Sequence, residues 1–214
     1  MADKTEDLEL QQGKTQPLVL RCEAAPIVYK AITAISLSYG APRLTVTGHG
    51  LPNGWRLWVT RVQGMKQINS ENTDPDAGAH YVGTVIDADT LELNEVVPVD
   101  DNDREWPTYT GGGFIQYLTP MDLTSYAARM DIRDKKNGNT VLFSMTSANN
   151  LIDIDTTLKT VTLFFDAIDF TSLVWKKGYY ELELFKTVTR NGQSVVQVYS
   201  PLEGNIFLDV ETTK

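Results

Sequence analysis

The sequence has few of the residues that usually carry redox or metal chemistry. Its 214 residues include one cysteine, Cys22, and two histidines, His49 and His80. A single cysteine excludes an intrachain disulfide and a cysteine-based zinc cluster. The chain therefore makes no use of oxidising conditions, which favours synthesis in a cytoplasm.

The sequence also lacks long apolar runs and an excess of positive charge. No segment approaches the roughly 20 apolar residues that span a bilayer. Residues 1–16, MADKTEDLELQQGKTQ, do not have the basic and then apolar pattern of a signal peptide. The net charge is −9, from 19 basic and 28 acidic residues. Because this charge repels phosphate backbones, we expect no nucleic-acid partner. Because no long apolar run occurs, we expect no membrane span.

What the sequence does contain is a series of short runs in which apolar and polar residues alternate. In residues 90–97, TLELNEVV, Leu91 and Leu93 fall on one face and Glu92 on the other, and residues 159–165, KTVTLFF, repeat the alternation. This period of two is typical of half-buried strands. No helical pattern is longer than a turn or two. Strands spaced by about ten residues predict an all-β protein built as a sandwich or a small barrel.

Three Asn-Gly pairs mark tight turns between these runs. They are residues 53–54, 137–138 and 191–192. Both residue types tolerate positive φ, which the commonest two-residue hairpin turns require. The sequence therefore predicts hairpins at the second and third pairs.

Acidic residues are concentrated in the middle of the chain. Between Ile68 and Trp106 there are eleven acidic residues and one basic residue, Arg104. The most loop-like segments of the chain, residues 69–80 and 99–113, lie in or next to this region. The composition predicts a separate unit with long, acidic, exposed loops.

Three segments of this middle region carry a resemblance to a known module. They are LTVTGHGLPNGWRLWVTRVQGMKQIN (44–69), HYVGTVIDADTLEL (80–93) and YTGGGFIQY (109–117). With them, residues 33–116 resemble a small β-module of bacteriophage tail proteins that is labelled after the first catalytic-cysteine half-domain of ubiquitin-activating enzymes. The resemblance implies a small barrel-like β-module that holds no catalytic cysteine.

The flanking sequence resembles a second module of phage tails. Its landmarks are DLTSYAARMDIRDKKNGNTVL (122–142) and KTVTLFFDAIDFTSLVWKKGYYELEL (159–184). The resemblance implies an immunoglobulin-like β-sandwich formed by residues 17–32 and 117–214, with residues 33–116 inserted and residues 1–16 as a flexible arm. An insertion at a loop costs little, because loop-closure entropy grows slowly with length.

The histidines suggest sites but lack the partners that a site needs. His49 lies between two glycines and could act as a general base, yet no GxSxG nucleophile motif occurs in the sequence. His80 has Asp74 and Asp76 nearby, but zinc usually takes three or four ligands at close spacing. A structural role in a turn or loop is favoured for both histidines.

Other acidic and thiol groups also favour structural interpretations. Residues 100–105, DDNDRE, could attract calcium but lack the spacing of a calcium-binding loop. Asp166 and Asp169 could form an acid/base pair, but their surroundings favour a connection between strands. Cys22 shares a strand face with apolar residues and is expected to be buried and inert. We therefore predict no catalytic, cofactor-binding or metal-binding residues.

The segment WRLWVT, residues 55–60, gives the candidates for an interface. Alternation puts Trp55 on one face of the strand and Arg56 and Trp58 on the other. An exposed tryptophan beside arginine is typical of an interface anchor, and in the resembling modules both tryptophan positions are usually polar. The alternative is that loops of the same module, or the neighbouring sandwich, cover Trp58. The candidates are Trp58, Arg56, Arg61 and Trp55.

The resemblance implies a non-enzymatic structural subunit of a phage virion, in the tail or baseplate. It would be made in the host cytoplasm and bind other virion proteins and copies of itself. One alternative is a host-surface carbohydrate-binding or adhesion module of a tail. A further alternative is a decoration or connector protein of the head or neck.

Overall fold

A computed structural model describes residues 4–37, 40–99, 104–166 and 173–209. Within these residues it contains sixteen β-strands, two 3-10 helices and no α-helix. The prediction of an all-β fold of sandwich type is confirmed. The most helix-like stretch of the sequence is DAIDFTSLV, residues 166–174, and its residues 167–172 lie outside the described residues.

The elements are numbered in chain order. The first ten strands are β1 (Lys4–Thr5), β2 (Leu8–Gln11), β3 (Gln16–Arg21), β4 (Glu23–Ala31), β5 (Ala34–Ser36), β6 (Arg43–Thr45), β7 (Trp55–Gln63), β8 (Tyr81–Asp87), β9 (Thr90–Glu92) and β10 (Gly111–Pro120). The others are β11 (Ala127–Arg133), β12 (Val141–Thr146), β13 (Ile152–Asp155), β14 (Thr160–Phe165), β15 (Lys177–Arg190) and β16 (Gln193–Asp209). The 3-10 helices are Lys66–Ile68 and Pro75–Ala77.

The chain forms two compact units. One, which we call the split unit, consists of Met1–Cys22 and Asp122–Lys214, and the other, the inserted unit, is Glu23–Met121. The sequence placed these boundaries after residues 32 and 116, whereas the structure places them after residues 22 and 121. The difference arises because β4 pairs with β10, which puts both strands in the inserted unit.

The inserted unit is built on one seven-stranded sheet, with the order β4-β10-β7-β8-β9-β6-β5. Several strands supply its core. Leu44 of β6, Leu57 of β7, Leu91 of β9 and Ile115 of β10 are fully buried there. Strand β7 supplies alternate residues to this core, as expected for a strand whose side chains point to opposite faces.

The split unit contains two sheets. The larger has the order β1-β16-β15-β11-β12, with β2 also paired to β16, and the smaller has the order β13-β14-β3. Residues of alternating parity on β14 and β15 are buried, among them Val161, Leu163, Tyr180 and Leu182. This pattern confirms the alternation predicted for residues 159–165.

Residues 4–11 correct the prediction of a flexible arm. Strands β1 and β2 run parallel to β16 and pair with it. Leu10 is only 6% exposed, and the hydroxyl of Tyr180 donates to the carbonyl oxygen of Glu6 at 2.7 Å. The polar composition of the segment concealed a short alternating pattern, LELQ, whose leucines enter the core of the split unit.

The predicted hairpin at Asn191 and Gly192 is confirmed. These residues have φ of 51° and 76° and join β15 to β16, with Arg190 paired to Gln193. β16 is 17 residues long. Among the described residues, β16 pairs with β1 and β2 only from Leu202 onward, so residues 193–201 have β15 as their one neighbouring strand.

Candidate interaction surfaces

Trp55 and Trp58 are both buried, which corrects the expectation that Trp58 is an exposed anchor and the choice of both tryptophans as interface candidates. Their exposed fractions are 1% and 0%. The indole N–H of Trp55 donates to the carbonyl oxygen of Leu118 at 3.0 Å, and that of Trp58 donates to the carbonyl oxygen of Ala79 at 2.6 Å. Both side chains therefore have their polar atom satisfied within the inserted unit, as buried indoles usually do.

The face of β7 that carries Trp58 is covered by the loop of residues 69–80. His80 packs edge-to-face on Trp58, with ring centroids 6.3 Å apart. The buried side chain of Gln116, whose residue pairs with Trp58 across the sheet, donates to the carbonyl oxygen of Thr73 at 3.1 Å. Trp58 is therefore covered by a loop of its own unit, which is one of the alternatives considered from the sequence.

Arg56 is part of the same structural arrangement. Its guanidinium binds the carboxylate of Glu23, with 2.6 Å between Nε and Oε1, and also donates to the carbonyl oxygen of Pro75 at 2.9 Å. The guanidinium lies 5.4 Å from the ring centre of Trp58. Of the four interface candidates, only Arg61 is exposed, so the four side chains form no common exposed patch.

His49 has the contacts of a structural turn residue. The backbone N–H of Leu51 donates to His49 Nδ1 at 3.0 Å, so the other ring nitrogen carries the proton and donates to the carbonyl oxygen of Asp87 at 2.9 Å. The hydroxyl of Tyr117 donates to the carbonyl oxygen of His49 at 2.7 Å. Both ring nitrogens are thus engaged by the backbone of the turns that His49 joins.

The described residues contain no group of three or more potential metal ligands from His, Cys, Asp and Glu. His80 Nδ1 lies 2.8 Å from the carbonyl oxygen of Gly78, and Asp74 accepts from the backbone N–H of Asp76 at 3.0 Å. Residues 100–103 of the acidic segment and Asp169 lie outside the described residues. Cys22 is buried, as predicted.

A polar groove of about 650 Å³ lies on the larger sheet of the split unit. Charged side chains of β11, β15 and β16, together with Lys136 in the turn after β11, line it, and six of them form three ion pairs. The pairs are Arg129 with Glu183 at 2.5 Å, Arg133 with Asp131 at 2.7 Å, and Lys136 with Glu203 at 3.0 Å.

The protonation of the groove follows from these pairs. Hydrogen bonds to Tyr179 and Glu203 raise the pKa of Lys136, and the hydrogen bond from Lys136 lowers the pKa of Glu203. Desolvation raises the pKa of Tyr179. Lysine and glutamate are therefore held in their charged forms and compensate each other, so this part of the groove presents little net charge to a ligand.

A second surface is formed by the far end of the β15–β16 hairpin, which we call the hairpin arm and define as residues 186–198. Val196 is 60% exposed and Val198 is 47% exposed, and Val195 is exposed as well. No acidic residue occurs between Glu183 and Glu203, whereas two basic residues, Lys186 and Arg190, occur in the arm.

A β-bulge at the base of the arm determines which residues of β15 and β16 lie opposite each other. Leu182 pairs with Leu202, but Leu184 pairs with Tyr199, so β16 has one extra residue between them. Beyond the bulge, Val198 lies opposite Phe185. Directly opposed residues of an antiparallel pair point to the same side, so these two side chains form an apolar pair on one face of the arm.

Sequence reasoning identified the strands of this hairpin but missed the exposure of its far end. The available signal was the run SVVQV, residues 194–198, which is uncharged and rich in β-branched residues. Such a run is typical of a buried strand or of a strand edge that another chain covers.

No family model and no curated protein matches this sequence. Among the described residues, no helix has the length and apolar character required to cross a membrane.

Proposed function

We propose that this chain is a structural subunit of a tailed-phage virion, in the tail or baseplate, and that it acts through protein–protein contacts. The resemblance of its two parts to phage tail modules supports the virion role. The single observation that carries the contact role is the hairpin arm, with exposed valines on a strand edge that has no neighbour among the described residues.

An exposed strand edge of this kind favours aggregation in a protein that stays monomeric. Unpaired strand edges present rows of N–H and C=O groups to other chains, and proteins usually protect them with charges, proline or short length. Here residues 193–200 contain no charged residue and no proline. Burial in an assembly removes this liability and gives the exposed valines a partner.

The carbohydrate-binding alternative has weaker support. In that alternative, tryptophan and aspartate side chains would hold the sugar, but the candidate tryptophans, Trp55 and Trp58, are both buried. A sugar could lie in the polar groove, yet six of its charged groups already form ion pairs with one another, and a seventh, Glu181, accepts a hydrogen bond from Ser200. An assembly role therefore ranks first.

The test is to locate the chain in phage particles. Phage particles from a lysate of cells that express the gene would be separated on a density gradient. Mass spectrometry would then detect the chain in the particle fraction, and immunogold labelling would locate it on the particle. We expect the chain in the particle fraction and the label on the tail or baseplate. Label on the head or neck would favour the decoration or connector role, and absence from particles would contradict the proposal. A glycan array gives the independent check on carbohydrate binding.

A further inference from the structure

The hairpin arm differs in charge from the rest of the molecule. Lys186 and Arg190 give the arm a charge of +2, which leaves −11 on the rest of a chain whose net charge is −9. Lys186 lies at the base of the arm, with its ammonium 4.3 Å from the ring centre of Tyr126, and Arg190 is exposed at the tip. An acidic surface therefore complements the arm, and a second basic arm does not.

The inserted unit of this chain has the acidic composition that complements the arm. The inserted unit has twelve acidic and six basic residues. Arg43 pairs with Glu92 and Arg56 pairs with Glu23 inside the unit. Exposed carboxylates of the unit, which we call the acidic loops, are Glu71, Asp74, Asp76, Asp87, Asp89, Glu95 and Glu105.

We infer that the hairpin arm of one copy docks on the acidic loops of the inserted unit of a second copy. The exposed valines supply the apolar contact, and Arg190 supplies the charge that selects the acidic surface. The inference rests on the proposed function, because it names the partner of the contact that the function requires.

The charges also select the symmetry of the contact. Pairing of two arms would bring like charges together, whereas an arm on an acidic loop joins two different surfaces. A contact between different surfaces is head-to-tail, and it propagates into a ring or a filament rather than closing as a dimer. Repeated copies of this kind are what a virion component with rotational or helical symmetry requires.

The first test removes the apolar part of the contact. Sedimentation velocity of the full chain over a concentration series should show association that grows with concentration. In V196T/V198T, which keeps β-branched side chains in the arm, we expect the apparent dissociation constant to rise by about tenfold or more. The matched control is V174T, since Val174 is also highly exposed in the split unit but lies outside the arm.

The second test reverses charge on either side of the contact. R190E should weaken association by about tenfold, whereas K135E, an equal charge change at another exposed residue of the split unit, should not. E71K/E95K in the acidic loops should weaken association as R190E does. Mixing R190E with E71K/E95K should restore association, because the reversed arm then meets reversed loops. Circular dichroism of each variant checks that it is folded.

Salt gives a third readout. The Debye length falls from about 30 Å at 0.01 M to about 3 Å at 1 M ionic strength, so wild-type association should weaken as sodium chloride is added. Association that strengthens with salt and is insensitive to R190E would overturn the inference in favour of an apolar contact between arms. A chain that is monomeric throughout the series would also overturn it.

Failure of the inference and failure of the proposed function can be told apart. A chain found in phage particles whose arm variants still associate as the controls do would leave the function standing and remove the inference. A chain that self-associates through the arm but is absent from particles would do the reverse.

Discussion

In the inserted unit, the central strand β7 is covered on both faces, whereas in the split unit the far ends of β15 and β16 are largely exposed. On β7, Trp55 faces the core and Trp58 lies under the loop of residues 69–80. On β16, Val195, Val196 and Val198 are exposed. Strand sequences of similar character are therefore used as core in one unit and as surface in the other.

The units differ because of what surrounds each strand. The loop over β7 is held by hydrogen bonds from Trp58, Gln116 and Arg56 to its backbone carbonyls. No described element takes this position beside the hairpin arm, since β15 and β16 extend past the strands that flank them. Whether a β-strand is exposed thus depends on whether a segment distant in sequence packs over it. The alternation of apolar and polar residues within the strand does not predict this.

The largest expected effect is in the inserted unit. Trp58→Ala removes a fully buried ring and its hydrogen bond to Ala79, and we expect it to destabilise the fold by about 3–5 kcal/mol, the usual range for such truncations. The measurement is urea unfolding. Val196→Ala in the arm is the control and should change stability by less than about 0.5 kcal/mol. If the two variants lowered the free energy of unfolding equally, the contrast between a covered β7 and an exposed hairpin arm would be wrong.

The next effect concerns the N-terminal strands of the split unit. Leu10→Ala should cost about 2 kcal/mol, the low end for a buried leucine, because β2 has a single neighbouring strand. Amide hydrogen exchange of residues 8–11 should become faster, while exchange in β7 stays unchanged. Glu9→Ala, at an exposed position of the same strand, is the control. Unchanged exchange in Leu10→Ala would contradict the docking of β2.

The smallest effect is on acid sensitivity. Hydrogen bonds lower the pKa of Glu203 and of Asp122 in the split unit, chiefly from Lys136 and from Thr124 respectively. A lowered pKa in the folded state contributes stability above the unfolded-state pKa, and this contribution is lost as the pH falls through the folded-state value. Because Asp122 is exposed and Glu203 faces the open groove, solvent screens both groups and the contribution is small.

Glu203→Gln tests this contribution, because glutamine does not titrate. Wild type should be slightly more stable than the variant near neutral pH, and the difference should shrink as the pH falls through the acid range. Thermal unfolding at a series of pH values measures it. A difference that is constant with pH would show that the Lys136–Glu203 pair contributes no charge-dependent stability.

Much of the fold could be predicted from local pattern. Alternation located the strands, and it correctly placed Trp58 on the face of β7 opposite the core, since Trp58 is absent from the core cluster that contains Trp55. The Asn-Gly pair at residues 191–192 predicted its hairpin because the turn requires positive φ at both positions. These are properties of neighbouring residues, which a sequence displays directly.

The candidate surface could not be predicted in the same way. Trp58 was expected at the surface because nothing in residues 55–60 indicates that Ala79 and Thr73 lie over that face. Leu8 and Leu10 were assigned to a flexible arm because their partner strand is about 200 residues away in sequence. Both errors concern long-range contacts, and the exposure of the hairpin arm was missed for the same reason.

The parallel pairing of β1 and β2 with β16 also has a mechanical consequence. Lys4 pairs with Leu202 and Gln11 pairs with Asp209, so both strands run in the same direction side by side. Tension between Lys4 and Asp209 therefore pulls the strands past each other along their length. It loads the backbone hydrogen bonds together in shear instead of opening them one after another, and it does so in the segment that ties the N-terminal strands to the rest of the split unit.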